Sequence, residues 1–246
     1  MSRAILVIGQ SHVASVRAAA KARREADPDR PRTRVIHTVE PRYAPEVDGE
    51  GDEARFTPAL VDMIRDQIDR HAPLVASASG GNVHNGFALI RHPRPYDFLL
   101  SHEDGPPLDP EAEPVTEALV RAALEAGLER DRIRLREIRR LGGNVIQLES
   151  PPPLADGSVI AAQADAYFRN RGIAELGVAP AALRYKIWRL HSRIVARYCA
   201  DLGLRFLPVP AETQDAEGFL RPAFAGDATH GNQAYGEALI RALEAL

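Results

Sequence analysis

The chain has 246 residues, 45% of them hydrophobic and 26% charged, with a formal net charge of -3. That is enough chain for one α/β domain with a substantial core, and the average composition excludes collagen-like repeats, disorder and membrane spans as the main theme. A slightly acidic chain also has no basic field to hold a nucleic-acid backbone. The single cysteine, Cys199, has no partner for an internal disulfide and cannot build a thiolate zinc site. The first apolar run, residues 4–8, is too short for a signal sequence or a span. These features predict a cytoplasmic chain that binds neither membrane nor nucleic acid.

Residues 4–8 form a continuous, β-branched apolar run stopped by Gly9, the pattern of a strand buried on both faces. An Ala-rich segment over 13–24, with basic residues late, predicts a helix ending at Asp27-Pro28. A second strand is expected over 33–39, followed by a loop over 40–56 rich in Pro, Gly and acids. Thr57-Pro58 supplies an N-cap and a first-turn proline for a helix carrying Leu60, Val61, Ile64 and Ile68 and ending near His71. A third strand is expected over 74–79. From 85 to 110 the periodicity breaks down and an ordered excursion is predicted. Residues 114–140 read as helix, with a break near Gly127 to Asp131. A fourth strand over 144–148 is stopped by Pro151-Pro152-Pro153, and a second excursion covers about 150–178. The longest helix is predicted over 180–202, where Leu183, Ile187, Leu190, Ile194 and Tyr198 step by three and four. A fifth strand over 204–209 and a terminal helix over 234–246 complete the chain.

Five short apolar strands alternating with helices predict a single domain over 1–246. Its fold class is α/β, a three-layer α/β/α sandwich around a five-stranded, mainly parallel sheet. In such folds ligands gather outside the carboxyl ends of the strands, which directs the search to loops 9–12, 40–56, 80–85, 149–154 and 210–230.

Three of those loops carry chemistry. Gly9-Gln10-Ser11-His12 places a serine at a strand-to-helix turn, where free N–H groups and the helix dipole favour developing negative charge. Serine at such a turn is also a common N-cap. Gly80-Gly81-Asn82 allows a sharp bend and leaves the Asn82 amide to donate to an oxyanion, or to cap the turn. Asp227-Ala228-Thr229-His230 puts a carboxylate and an imidazole three residues apart, close enough for the carboxylate to fix the imidazole tautomer, although an Asp at a helix start is also commonly a cap.

Taken together, a serine after the first strand, Gly-x-Asn after the third and Asp-x-x-His before the last helix stand in the chain order of the SGNH (GDSL-type) hydrolase superfamily. The sequence resembles that superfamily over nearly its whole length, and Gly231-Asn232-Gln233-Ala234-Tyr235-Gly236 resembles the stretch directly after its last block. The resemblance implies Ser11 as nucleophile, His230 as general base, Asp227 as the residue orienting His230, and an oxyanion hole of Asn82 with the Ser11 N–H. The chain departs from the family at Gln10 and Val83, where Asp is common in both places. The block that contributes a glycine to the oxyanion hole has no clean match; Gly49 and Gly51 both lie in the right interval. The resemblance implies a serine esterase acting on an acetyl or other short acyl ester of a small molecule or glycan, with no cofactor. Acyl transfer by the same residues and a non-catalytic ligand-binding role are the alternatives.

His12 and His84 also fall in loops expected to line the crevice. With His230 they would offer three imidazoles, but no carboxylate shares a recognisable ligand spacing with them, so substrate contact or helix-start packing is expected rather than metal. His37, His71, His92, His102 and His191 read as solvated or structural, Arg132 to Arg140 as a solvated helix face, and Cys199 as a small buried residue. Tyr185, Trp188 and Tyr198 read as core or rim of the long helix. The two excursions are expected to shape the pocket.

Overall fold

The computed structural model describes residues 3–102 and 105–246. Glu103 and Asp104, within the first predicted excursion, lie outside the described residues. Five strands form the central sheet: β1 (Ile5–Gly9), β2 (Thr33–His37), β3 (Leu74–Ala78), β4 (Val145–Leu148) and β5 (Arg205–Leu207). Their order is β2-β1-β3-β4-β5 and every pairing is parallel. Residues 5–9 of the first strand are all buried because that strand is flanked on both edges and covered on both faces.

The strand period of two sorts the first strand's side chains between two cores. Leu6 and Ile8 point into one, with Leu60 and Ile64 of α2 (Pro58–His71), Leu124 of α4 (Glu117–Gly127), Leu135 and Ile138 of α5 (Glu129–Gly142), and Ile187 and Leu190 of α6 (Ala181–Leu202). Ile5 and Val7 point into the other, with Val13 and Val16 of α1 (Val13–Ala26) and Leu239, Ile240 and Leu243 of α7 (Gln233–Glu244). The helices α1 and α7 approach so closely that a Cβ on Gly236 would stand 2.1 Å from the Ser15 carbonyl oxygen. The result is the predicted three-layer sandwich.

The helix expected over 114–140 is two helices meeting at Leu128, at the predicted break. Thr57 does occupy an N-cap position with Pro58 behind it, but its hydroxyl makes no capping bond; the Leu60 and Val61 N–H groups bond its carbonyl instead. Residues 83–88, read as loop and the start of an excursion, form a short helix, α3 (Val83–Ala88), which packs on α6 through buried His84 and Ala88. That packing is tertiary, and no amphipathic period of useful length marks it in the sequence.

The two excursions are ordered. Tyr96–Asp97 pairs with Glu113–Pro114, Ile90 bridges to Val178, and residues Gly157–Gln163, Ala166–Arg169 and Ile173–Leu176 form short helices. The first excursion is pinned to α6 by a buried ion pair between Lys186 and Asp97, 2.7 Å apart. The arginine face of α5 is less solvated than its composition suggests. Arg132 and Arg140 are exposed, while Arg134 is largely buried and paired with Glu46 and Asp131, and Glu137, on the same helix, accepts the Phe56 N–H. Among the described residues no helix is long and apolar enough to cross a membrane.

Candidate active site

The turn after β1 brings Ser11 to the carboxyl edge of the sheet. The first helix is entered from His12, not Ser11, and the Ser11 hydroxyl makes no capping bond. Its Oγ has no hydrogen bond to any described residue, and its backbone N–H is likewise unengaged. The turn after β3 lies alongside. There Asn82 accepts a 2.7 Å bond from the Asn85 side chain on its amide oxygen, which leaves its NH2 group open as a donor. Ser11, His12 and Asn82 line one cleft of about 410 Å3 with Gln10, Gly81, Asp131 and Arg134.

The loop before α7 supplies the second half of the motif. Asp227 accepts from the backbone N–H groups of Thr229 and His230, both at 2.8 Å, and from His230 Nδ1 at 2.9 Å. Burial works against the charged carboxylate, but the donors from His230 and Thr229 prevail and hold Asp227 at about 2. With Nδ1 donating to a carboxylate, Nε2 is the acceptor nitrogen of the ring. That Nε2 is buried and has no hydrogen-bond partner among the described residues.

No hydrogen bond joins Ser11 to His230. What touches His230 is His12, whose ring centroid lies 4.8 Å away at a 48° tilt. On another side His12 rests on Gly81, where a Cβ would stand 1.9 Å from His12 Cδ2, so only glycine fits. Burial, reinforced by His230 and opposed by the Gly81 backbone and Asp227, pushes the His12 imidazole down to about 3. His12 is therefore a neutral ring set between the serine turn and the Asp227–His230 pair.

The remaining expected site residues fall elsewhere. His84 is buried against His191, with ring centroids 5.0 Å apart, and does not line the cleft. His191 in turn donates from Nε2 to the Gly80 carbonyl at 2.8 Å, so this histidine pair supports the Gly80-Gly81 turn from behind. Gly49 and Gly51 are exposed and lie outside the cleft; the Gly51 carbonyl accepts from Arg136 on α5. Cys199 is buried and its thiol is pushed up to about 12 by desolvation. Trp188 is core, with its indole N–H on the Ser150 carbonyl.

Four cleft residues escaped the sequence reading. Asp131 and Arg134 enter from α5, and Gln10 donates to Asp131 at 3.3 Å. Phe87 and Tyr167 stand on the cleft 38% and 52% exposed; they are the two aromatics among the exposed large apolar side chains of the described residues. One comes from each predicted excursion. Their signal was available, since an aromatic without a helical partner position in an irregular segment is a candidate for exposure. A larger groove of about 660 Å3 lies among α4, α5 and α6, but its rim is occupied by ion pairs such as Arg197–Glu125 and it holds none of the motif residues.

No family model and no curated protein matches the chain. Solved structures do. The periplasmic domain of a lipopolysaccharide acetyltransferase from Salmonella ser. Paratyphi A is 12% identical, with 99% of this chain and 82% of that one covered and a TM-score of 0.49. An acetylxylan esterase from Geobacillus stearothermophilus is 13% identical over 98% of this chain and 91% of its own, with a TM-score of 0.42. A carbohydrate acetylesterase from Sinorhizobium meliloti is 13% identical over 99% and 97%, with a TM-score of 0.41. The likeness is one of fold alone.

Proposed function

We propose that this protein is an SGNH-type serine esterase that hydrolyses a short-acyl carboxylic ester through an acyl-enzyme on Ser11. The observation that carries the reading is the pairing of opposites at one sheet edge. A serine hydroxyl free of capping duty shares a cleft with an open amide donor. Next to its neighbour His12 stands an imidazole whose Nδ1 is held by a carboxylate and whose Nε2 is unpaired.

In this mechanism His230 Nε2 takes the Ser11 proton as Oγ attacks the ester carbonyl. The tetrahedral oxyanion accepts hydrogen bonds from Asn82 Nδ2 and the Ser11 N–H. His230 returns the proton to the departing alkoxide, leaving an acyl group on Ser11. Water then attacks that acyl group, with His230 taking its proton and returning it to Ser11 Oγ as the acid departs. Ser11 and His230 must close into hydrogen-bond contact during the reaction, which is common in sites that tighten around substrate. Gly49 and Gly51 have no part in this scheme. Partial exposure of Ser11 gives water access to the acyl-enzyme, which favours hydrolysis over transfer to another alcohol.

The cleft also favours an ester carried on a sugar. A sugar ring offers an apolar C–H face and a polar rim, matching exposed Phe87 and Tyr167 beside Gln10, Asn82, Asp131 and Arg134. The test is hydrolysis of p-nitrophenyl acetate, p-nitrophenyl butyrate and an acetylated xylo-oligosaccharide by the protein and its Ser11→Ala variant. A fluorophosphonate label located by mass spectrometry accompanies it. Turnover abolished by Ser11→Ala, with the label on Ser11, is expected. Absence of both turnover and label overturns the esterase and leaves a binding protein. Faster product formation on adding a sugar alcohol, with the acyl group found on that alcohol, would instead identify a transferase.

A further inference from the structure

A second and much smaller space also touches His12. It measures about 10 Å3, the room of one water molecule, and its lining includes His12, Ser79, Glu149 and Tyr235. These residues come from four different places: the β1–α1 turn, the end of β3, the turn after β4, and α7. Three of the four carry buried polar atoms that have no hydrogen bond among the described residues: both ring nitrogens of His12, Ser79 Oγ and the Tyr235 hydroxyl. They are 8%, 2% and 2% exposed. The fourth, Glu149, is 7% exposed and has one carboxylate oxygen occupied by the Val209 N–H at 2.9 Å.

Buried polar groups in native proteins are almost always paired, and a water-sized space ringed by several of them is the usual place for an internal water. We propose that this space is a binding site for a single water molecule that links His12 to Ser79, Tyr235 and Glu149. The water gives the His12 ring its hydrogen-bond partner and fixes its tilt. Because His12 is packed against the His230 ring, the same water holds the base from behind. Ser79 and Tyr235 are then positioning residues that act through His12 without meeting substrate. Their effect on turnover rests on the Ser11–His230 reading; the water site itself does not.

Two measurements separate those claims. The first is a crystal structure fine enough to show ordered solvent, for the unaltered protein and for Tyr235→Phe. A solvent peak is expected within about 2.7–3.2 Å of at least two of the His12, Ser79 and Tyr235 polar atoms, weakened or lost in the variant. The second is the kinetics of Tyr235→Phe and Ser79→Ala on p-nitrophenyl acetate, per site titrated with fluorophosphonate so that misfolded protein drops out. A fall in kcat of about 3- to 10-fold with KM nearly unchanged is expected for each, the signature of a group that serves the transition state indirectly. An empty space in the crystal overturns the site. A peak with unchanged kcat in both variants overturns the role given to His12. A peak in a protein with no esterase turnover leaves the water site standing and counts against the function proposed above.

Discussion

Lys186 offers a sharp test of what holds the cleft's surroundings together. Its ammonium is 0% exposed and bonds Asp97 at 2.7 Å and the Pro107 carbonyl at 2.9 Å. Asp97 in turn accepts the Phe98 and Asp109 N–H groups, both at 2.8 Å. Removing one member of a buried pair costs about 3–5 kcal/mol, because the other charge is left without a partner. The two partners are not equivalent. Asp97→Asn strips the charge partner from a fully buried ammonium and removes an acceptor oxygen that also serves Asp109, so it belongs near the top of that range. Lys186→Met leaves Asp97 with two backbone donors and is expected to cost about 2–3 kcal/mol. For a chain of this size about 4 kcal/mol corresponds to a fall in Tm of about 8–16 °C. Urea unfolding followed by circular dichroism, with unchanged m, measures each value. The double variant is expected to cost less than the sum of the singles. A loss below about 1 kcal/mol for Asp97→Asn, or a larger loss for Lys186→Met than for Asp97→Asn, would refute the reasoning.

Asp227→Asn is expected to lower kcat by about 100-fold or more with the fold intact, since the amide can no longer fix the His230 tautomer; stopped assays on p-nitrophenyl acetate check it. Gly81→Ala forces His12 to move and is expected to cut kcat far more than it lowers Tm, measured side by side. Gly236→Ala drives a methyl into the Ser15 carbonyl and is expected to cost about 3 kcal/mol or more of stability, as read by urea unfolding. Glu117 governs part of the acid stability. Burial opposes its charge, but the Ser101 N–H and hydroxyl and the Arg193 guanidinium hold it down at about 2. Its folded-state value lies below the ordinary 4.5, so its contribution is full above that value and is lost as pH falls through about 4.5 towards 2. The stability gap between the protein and Glu117→Gln should therefore close across that window and remain constant above it, as read from urea titrations at several pH values.

The central sheet was legible in the sequence because each strand is a short apolar run bounded by glycine, proline or charge, and those runs need no knowledge of their neighbours. The long helix over 181–202 was legible for the same reason, since its apolar residues repeat at the helical period. So was the placement of the candidate residues: Ser11, Asn82, Asp227 and His230 all lie in loops at one edge of a parallel sheet. Other features depend on which segments meet. His84 and His12 occupy similar loops in the sequence, yet one is buried against α6 and the other lines the cleft. Gly49 and Gly51 sit in a suitable interval but point their loop towards α5. Lys186 adjoins Ile187 of the apolar stripe, and its burial depends on Asp97 being folded onto it. Phe87, Tyr167, Asp131 and Arg134 converge from three separate stretches of chain. Local pattern determines which faces are apolar and where the chain can turn. Charge partners, buried orphans and clefts are properties of pairs of segments, and only tertiary packing brings those pairs together.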